Sequence, residues 1–185
     1  TEIVTEKIRK QKELLEFLGK DESKLLHSYL QEIRWNDESN REGHAAKVYF
    51  NALFGLDFTR TAENPTNAAL NYGYSILLSA FAREITSNGY ITQLGLFHDN
   101  MFNFYNLSCD LMEPFRVIVD RVVYDMSPTK FDKDEKHRMW EVLDKKVIVD
   151  GQLQFTLAAI KQYTKSVLDA INNKDSSNIK FYCYE

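Results

Sequence analysis

Three short segments of the chain place residues that could do chemistry among apolar neighbours. The first is residues 41–50, REGHAAKVYF. In a helix, Glu42 would share a face with Ala45 and Tyr49, because residues three, four and seven positions apart lie on one side. A carboxylate on a small, apolar face is costly to bury unless it is paired or binds a cation. A glutamate that stays hydrated and interacts with the helix dipole is the simpler interpretation of this segment alone.

The second segment, residues 94–100 with the sequence LGLFHDN, carries His98 after a short apolar stretch and before an Asn-rich loop. A histidine in this position can ligate a metal or move a proton. A hydrogen bond to a backbone carbonyl is the commoner role of such a residue. The remaining histidines, His27, His44 and His137, lack this context.

The third segment, residues 109–116 with the sequence CDLMEPFR, holds Asp110 and Glu113 three positions apart. A helix would place both carboxylates on one side, where they destabilise each other unless a cation, a proton or an arginine intervenes. Arg116 continues the same side and could neutralise them. Because Pro114 cannot donate a hydrogen bond to the carbonyl of Asp110, we expect a helix to kink or begin here.

Taken together, Glu42, His98 and Glu113 would offer two carboxylates and one imidazole. That mixture suits a hard divalent ion, Mg²⁺ or Mn²⁺, whereas zinc sites usually contain more Cys or His. The sequence holds no HExxH, P-loop or GxSxG pattern that would indicate different chemistry. The residues therefore predict a divalent-metal site.

The elements that must position these residues are predicted to be helical. The 185 residues are 44% hydrophobic and 27% charged, which is typical of a globular chain, and only 7 Gly and 3 Pro favour helices over a β-sandwich. We expect one all-α domain over residues 1–185, without a linker. The predicted helices cover residues 2–18, 23–33, 40–53, 67–87, a short helix within 90–106, 107–122 with a break at Pro114, 131–143 and 155–173.

Two further local features are predicted. Asp150-Gly151 between β-prone flanks indicates a small hairpin at residues 146–155. The aromatic tail, residues 181–184, is expected either to fold back or to bind something. Cys109 and Cys183 form no CxxC pair, so a buried free thiol at Cys109 and a reducing cytoplasm are expected.

Charge and hydropathy restrict the function without fixing it. The formal net charge, 23 − 27 = −4, argues against a uniformly basic DNA-coating protein but not against an enzyme with a local basic groove. We find no stretch of about 18 apolar residues typical of a membrane span, and we expect no signal peptide.

Four strings carry a family resemblance: REGHAAKVYF at 41–50, NAALNYGYSIL at 67–77, GLFH at 95–98 and DLMEPFR at 110–116. Each is modest alone, but all four in this order and spacing form a specific signature. The chain resembles, over nearly all its length, the CRISPR-associated adaptation integrases (Cas1 family), metal-dependent DNA endonucleases that insert new spacers into CRISPR arrays. The version NREGHAA at 40–46 is similar to the type II-A branch, which works beside Cas9.

The resemblance implies roles for individual residues. The family's metal ligands, with Mg²⁺ or Mn²⁺ as the cofactor, fall on Glu42, His98 and Glu113. Asp110 matches an acidic neighbour with a supporting role, and Tyr72 matches a tyrosine near the attacking strand end. The basic or polar residue that usually follows the histidine is not clearly present. Basic residues that could contact DNA are Arg34, Arg41, Lys47, Arg60, Arg83, Arg116 and Arg121.

The resemblance also implies a fold, partners and a reaction. The chain matches the family's helical catalytic lobe; the β-rich domain that precedes this lobe in relatives is expected to be absent, which could leave an isolated lobe inactive. Implied partners are DNA, a second copy, a small protein of the Cas2 family and Cas9-type proteins. A 3′-hydroxyl of incoming DNA would attack a phosphodiester of the CRISPR repeat. Without the resemblance, a non-enzymatic helical interaction module or a hydrolase of small phosphate esters would fit the same residues.

Overall fold

A computed structural model describes residues 1–32 and 41–184 and confirms the predicted all-α fold with one small hairpin. Two short 3₁₀ turns, Glu113–Phe115 and Trp140–Asp144, accompany the regular elements. These elements are α1 (Glu2–Phe17), α2 (Ser23–Glu32), α3 (Arg41–Phe54), α4 (Pro65–Ser87), α5 (Asn106–Met112), α6 (Arg116–Met126), α7 (Lys133–Met139), β1 (Lys146–Val149), β2 (Gln152–Phe155) and α8 (Thr156–Asn173).

Pro114 breaks the helix at the predicted place. Helix α5 ends at Met112, the turn Glu113–Phe115 is 3₁₀, and α6 begins at Arg116. A proline in a helix interior would leave the carbonyl four residues earlier without its hydrogen bond, so the backbone changes its winding here. The break separates Asp110, on α5, from Glu113, which starts the turn.

The hairpin also forms as predicted. Strands β1 and β2 pair antiparallel, with Val149 opposite Gln152 at the end next to the turn. Asp150 and Gly151 have φ angles of 52° and 73°, the left-handed values that a two-residue hairpin turn requires. The tail folds back onto this hairpin, because the backbones of Ile148 and Cys183 exchange two 2.8 Å hydrogen bonds and Tyr182 is fully buried.

The prediction of a short helix within residues 90–106 is wrong. Residues 90–105 form no helix; side chains fasten their backbone instead. Asn106 Nδ2 donates to the carbonyls of Gln93 and Asn100 at 2.9 Å each, and Thr92 Oγ1 donates to the carbonyl of Phe104 at 2.6 Å. The apolar side chains of this segment have no helical period, and many are exposed: Ile91, Leu94, Leu96, Phe97, Met101, Phe102, Phe104 and Tyr105.

The described residues belong to two compact units. The first unit is drawn from Thr1–Asn71 and Glu113–Glu135, and the second from Tyr72–Met112 and Lys136–Glu185. In the first unit α1 packs against α2, α3, α6 and the Glu113–Phe115 turn. In the second unit α8 packs against both strands. The expectation of a single domain over residues 1–185 stays a prediction.

Both cysteines are free thiols, as predicted, but Cys109 is only partly buried and Cys183 is exposed. Across residues 1–32 and 41–184, no helix combines the length and apolar character needed to cross a membrane.

Candidate functional site

Glu42 and Glu113, far apart in sequence, meet at one cation in the first unit. Nζ of Lys7 lies 2.6 Å from Oε1 of Glu42 and 2.6 Å from Oε2 of Glu113. The side chains of Lys7, Glu42 and Glu113 are only 12%, 22% and 7% exposed, so all three charges are mostly withdrawn from water. Two carboxylates in such surroundings need a positive charge between them. Lys7 supplies it.

The lysine contacts both carboxylates at hydrogen-bonding distance. The contact with Glu42 is a hydrogen bond as well as an ion pair. The contact with Oε2 of Glu113 is equally short, 2.6 Å, and a hydrogen bond to Glu113 contributes to the raised pKa of Lys7. Each carboxylate oxygen carries two lone pairs, so both glutamates are acceptors that could also bind a metal cation.

Helix packing explains why these residues converge. Glu42 stands in the first turn of α3, and Lys7 stands on α1, which packs against both α3 and the Glu113–Phe115 turn. Burial by itself lowers the pKa of Lys7, but the negative charges of Glu113 and Glu42 outweigh this effect and hold the pKa above its ordinary value. The lysine is therefore charged at neutral pH.

Sequence reasoning missed Lys7, although a signal was present. Lys7 follows Ile3 by four positions and precedes Leu14 by seven, so it lies on the apolar stripe of α1. A charged residue on such a stripe predicts a buried partner of opposite charge. What the helical period could not supply is the identity of that partner.

Arg116 binds the other oxygen of Glu113. Its Nη2 is 2.8 Å from Oε1 of Glu113, as expected for residues three positions apart. The neutralising role predicted for Arg116 is thus observed for Glu113. It does not extend to Asp110, whose partners lie elsewhere.

In the second unit, buried Asp110 organises the turn that carries His98. Its Oδ2 accepts the backbone N–H groups of Leu96 and Phe97 at 2.5 and 3.1 Å. Its Oδ1 accepts the N–H of His98 at 3.1 Å and lies 2.6 Å from Nδ1 of the same histidine. One carboxylate therefore fixes three consecutive backbone groups and one imidazole ring.

Gly95 lets this turn close around the carboxylate. A Cβ atom at position 95 would stand 2.8 Å from Oδ2 of Asp110 and would also collide with the backbone carbonyl of His98. Any other residue at this position would have to push the turn away from Asp110. The string GLFH thus contains a steric requirement as well as the histidine.

The contact with Asp110 determines what His98 can do. A carboxylate only accepts hydrogen bonds, so Nδ1 of His98 is the nitrogen that donates, and the neutral ring keeps its lone pair on Nε2. A histidine held in this way by a carboxylate is the arrangement commonly found behind metal-ligating imidazoles. The geometry fits the predicted role of His98 as a ligand and of Asp110 as its support.

The structure describes the predicted residues in separate units. Glu42 and Glu113 belong to the first unit, and His98, Asp110 and the half-buried Tyr72 belong to the second. Within residues 1–32 and 41–184, no three Cys, His, Asp or Glu side chains converge as a metal ion requires. The assignment of Glu42, His98 and Glu113 as ligands stays a prediction.

Most of the arginines predicted to contact DNA have partners within the protein. Arg41 pairs with Glu32 at 2.6 Å, and Arg60 donates to Asn67 and, at 2.7 Å, to Asn71. The side chain of Arg83 is largely exposed, and its Nη2 lies 3.4 Å from a carboxylate oxygen of the neighbouring Glu84. Arg121 lies over the ring of Phe17, Lys47 is exposed, and Arg34 lies outside the described residues. None of these contacts tests DNA binding.

The described residues form a helical fold in which Lys7 pairs two carboxylates in the first unit and a carboxylate supports a histidine in the second. The chain belongs to the family described as CRISPR associated protein Cas1, which matches it over residues 1–150. This range contains Glu42, Tyr72, His98, Asp110 and Glu113.

Two curated relatives support the family assignment. The CRISPR-associated endonuclease Cas1 of Neisseria meningitidis serogroup C is 36% identical over 184 residues, which cover 96% of this chain and 60% of the relative. A CRISPR-associated endonuclease Cas1 of Francisella tularensis subsp. novicida is 28% identical and is covered over 54% of its length. The chain therefore spans somewhat more than half the length of these two relatives.

Solved structures share the fold at lower identity. A Cas1 protein from Thermotoga maritima has a TM-score of 0.80 and 16% identity over 95% of this chain and 65% of its own. A casposase bound to integration product has a TM-score of 0.78 and 21% identity over 97% of this chain and 66% of its own. At these identities the likeness is one of fold.

Proposed function

We propose that this chain is the helical catalytic part of a metal-dependent DNA integrase and endonuclease of CRISPR adaptation. It joins the 3′-hydroxyl ends of spacer DNA to the CRISPR repeat by transesterification. The observation that carries the proposal is the convergence of Glu42 and Glu113 on a single cation within a chain of the Cas1 family. The names of the relatives, CRISPR-associated endonuclease Cas1, support the same activity.

The proposed metal ligands are Glu42, His98 and Glu113. Two mostly buried carboxylates and an imidazole are donors that suit Mg²⁺ or Mn²⁺. When bound, the metal supplies positive charge that stabilises the charge developing on the phosphoryl oxygens. Asp110 holds the ring of His98 from behind, and Tyr72 is proposed to lie near the attacking strand end.

The reaction balances without a covalent enzyme intermediate. The 3′-oxygen of the incoming strand forms a bond to phosphorus, the bond from phosphorus to the repeat's own 3′-oxygen breaks, and the proton of the attacking hydroxyl is transferred away. Water in place of the hydroxyl gives hydrolysis. Because little covalent chemistry falls to protein side chains, the protein contributes mainly by positioning the two strands.

The proposed partners follow from the family. DNA binding is assigned to the basic residues of the chain, with Arg34, Arg41, Arg60, Arg83 and Arg116 as candidates. A second copy, a Cas2-family protein and Cas9-type proteins are the proposed protein partners. The solved Cas6-RT-Cas1–Cas2 complex, with a TM-score of 0.75 and 18% identity, contains a Cas1 with the same fold beside a Cas2. We propose that residues 1–185 form one catalytic domain, the helical lobe of the family.

Replacing the ligands tests the activity. Glu113→Gln and His98→Ala are expected to lower Mn²⁺-dependent joining of a 3′-hydroxyl end to repeat DNA by at least about a hundredfold, because each removes a donor atom. The assay uses the complete protein with labelled spacer DNA and a repeat-containing target. Glu63→Gln and His137→Ala, which change exposed residues of the same types, are the matched controls.

The controls are expected to join DNA at the wild-type rate. Joining that persists in both Glu113→Gln and His98→Ala contradicts the proposed function. Loss of joining in the two controls as well would mean that the assay reports general damage to the protein, and it would equally fail to support these ligands.

A further inference from the structure

The ammonium of Lys7 stands where a metal ion would have to bind if Glu42 and Glu113 are its ligands. Nζ is 2.6 Å from an oxygen of each carboxylate. A magnesium ion approaches its oxygen ligands to about 2.0–2.1 Å, so it would need the same position between them. Two cations cannot share this position, because like charges at such distances repel strongly in partly buried surroundings.

Among the described residues, two cationic side chains contact the two carboxylates without a metal. Lys7 and Arg116 contribute two positive charges, and Glu42 and Glu113 contribute two negative charges. A divalent ion added while Lys7 stays in place would leave a large positive excess on side chains that are mostly withdrawn from water. Arg116 need not move, since it binds Oε1 of Glu113 at 2.8 Å, the oxygen that Lys7 does not contact.

The ammonium of Lys7 can move out from between Glu42 and Glu113. Its side chain remains 12% exposed, and a lysine ammonium on a flexible four-carbon stem can turn towards water while its methylene groups stay packed.

We propose that Lys7 is an exchangeable internal counter-ion: its ammonium neutralises Glu42 and Glu113 in the metal-free protein, and a divalent cation binds these carboxylates by displacing it. The inference rests on the proposed function in one respect, the assignment of Glu42 and Glu113 as metal ligands. Lys7 is then a positioning residue that sets how tightly the metal is held. It protects the two carboxylates from mutual repulsion while the metal is absent.

Lys7→Met tests the displacement, because methionine retains most of the stem and removes the charge. Mn²⁺ is expected to bind this variant about tenfold more tightly than wild type, which is about 1.4 kcal/mol at 25 °C, as measured by isothermal titration calorimetry on the complete protein. Without metal the variant is expected to unfold at a lower temperature, and added Mn²⁺ should raise that temperature by more than in wild type.

Lys12→Met is the matched control. Lys12 lies on the same helix and forms an ion pair with Glu16 at 3.2 Å. Its Mn²⁺ affinity is expected to equal that of wild type. Equal or weaker Mn²⁺ binding by folded Lys7→Met overturns the displacement and leaves the proposed metal site intact. Absence of binding in wild type and both variants removes the metal site and the displacement together.

A measurement on wild-type protein covers the case in which Lys7→Met does not fold. During titration with Mg²⁺, the ¹³Cε resonance of Lys7, identified by its absence in Lys7→Arg, is expected to shift towards the position of hydrated lysine. The resonance of Lys12 serves as the reference. A Lys7 resonance that stays fixed while Mg²⁺ binds overturns the proposal.

Discussion

At the scale of single residues, Asp110 does not pair with Glu113 on a shared acidic face; it anchors the turn that carries His98. Its position three residues before Glu113 predicts a shared acidic face, but its carboxylate binds the turn at residues 96–98 instead. It accepts four hydrogen bonds while almost fully buried. Charge-assisted bonds to backbone N–H groups are among the stronger hydrogen bonds in proteins.

Asp110→Asn is therefore expected to lower the free energy of unfolding by about 1–3 kcal/mol, because the amide is a weaker acceptor and one of its two ends can only donate. Urea denaturation followed by circular dichroism measures the change. Asp99→Asn, an exposed aspartate beside the same turn, is the control and is expected to change stability little. A variant at position 110 that matches this control would contradict the anchoring role.

At the scale of elements, buried polar contacts fix how the helices of the first unit meet. The hydroxyl of Tyr49 on α3 donates to Oδ2 of Asp120 on α6 at 2.8 Å, and both residues are buried. Helix α3 also carries Glu42, seven positions before Tyr49 and on the same face of the helix. The hydrogen bond between Tyr49 and Asp120 therefore helps to hold the carboxylate of Glu42 in position. A helix whose polar partner is lost can rotate or shift with less penalty.

Tyr49→Phe removes one donor and leaves the carboxylate of Asp120 buried. We expect the free energy of unfolding to fall by about 1–3 kcal/mol, measured by chemical denaturation. Tyr90→Phe removes a hydroxyl that bonds Asn172 at 2.8 Å in an exposed position, and it is expected to cost less than about 0.5 kcal/mol. Equal effects of the two variants would refute the importance of burial at the α3–α6 contact.

At the scale of the whole molecule, the C-terminal tail and α8 pack against the β1–β2 hairpin that precedes them in the chain. The tail pairs through Cys183 with Ile148 of β1, and Tyr182 is fully buried beside it. The hairpin is only two strands wide, and a lone hairpin is marginally stable in water. The tail and α8 therefore both contribute to its stability.

Tyr182→Ala is expected to lower the free energy of unfolding by about 3–5 kcal/mol, because it deletes a large buried aromatic side chain. Denaturation in urea measures the loss. Cys183→Ser changes an exposed side chain and keeps the backbone pairing, so its stability should remain close to that of wild type. A small effect at position 182 would show that the tail is dispensable for the second unit.

Local signals in the sequence account for most of the elements. Helical spacing predicted the long helices, Asp150-Gly151 predicted the hairpin, and Pro114 predicted the break between α5 and α6. These features depend on neighbouring residues, so a local pattern is sufficient. The segment 90–105 was predicted wrongly because Asn and Thr side chains, rather than helical hydrogen bonds, fasten its backbone.

For the candidate site, too, the sequence predicted one part and only the tertiary structure supplies the other. The residue types and the four ordered strings predict Glu42, His98, Asp110 and Glu113 as site residues, and they indicate the Cas1 family, which the family match confirms. Only the tertiary structure decides that Lys7 lies between the two glutamates and that the carboxylate of Asp110 contacts Nδ1 of His98 and the backbone of residues 96–98. The physical reason is that a helical period states which face of a helix is buried, whereas the partner of a buried charge depends on which faces of distant elements meet.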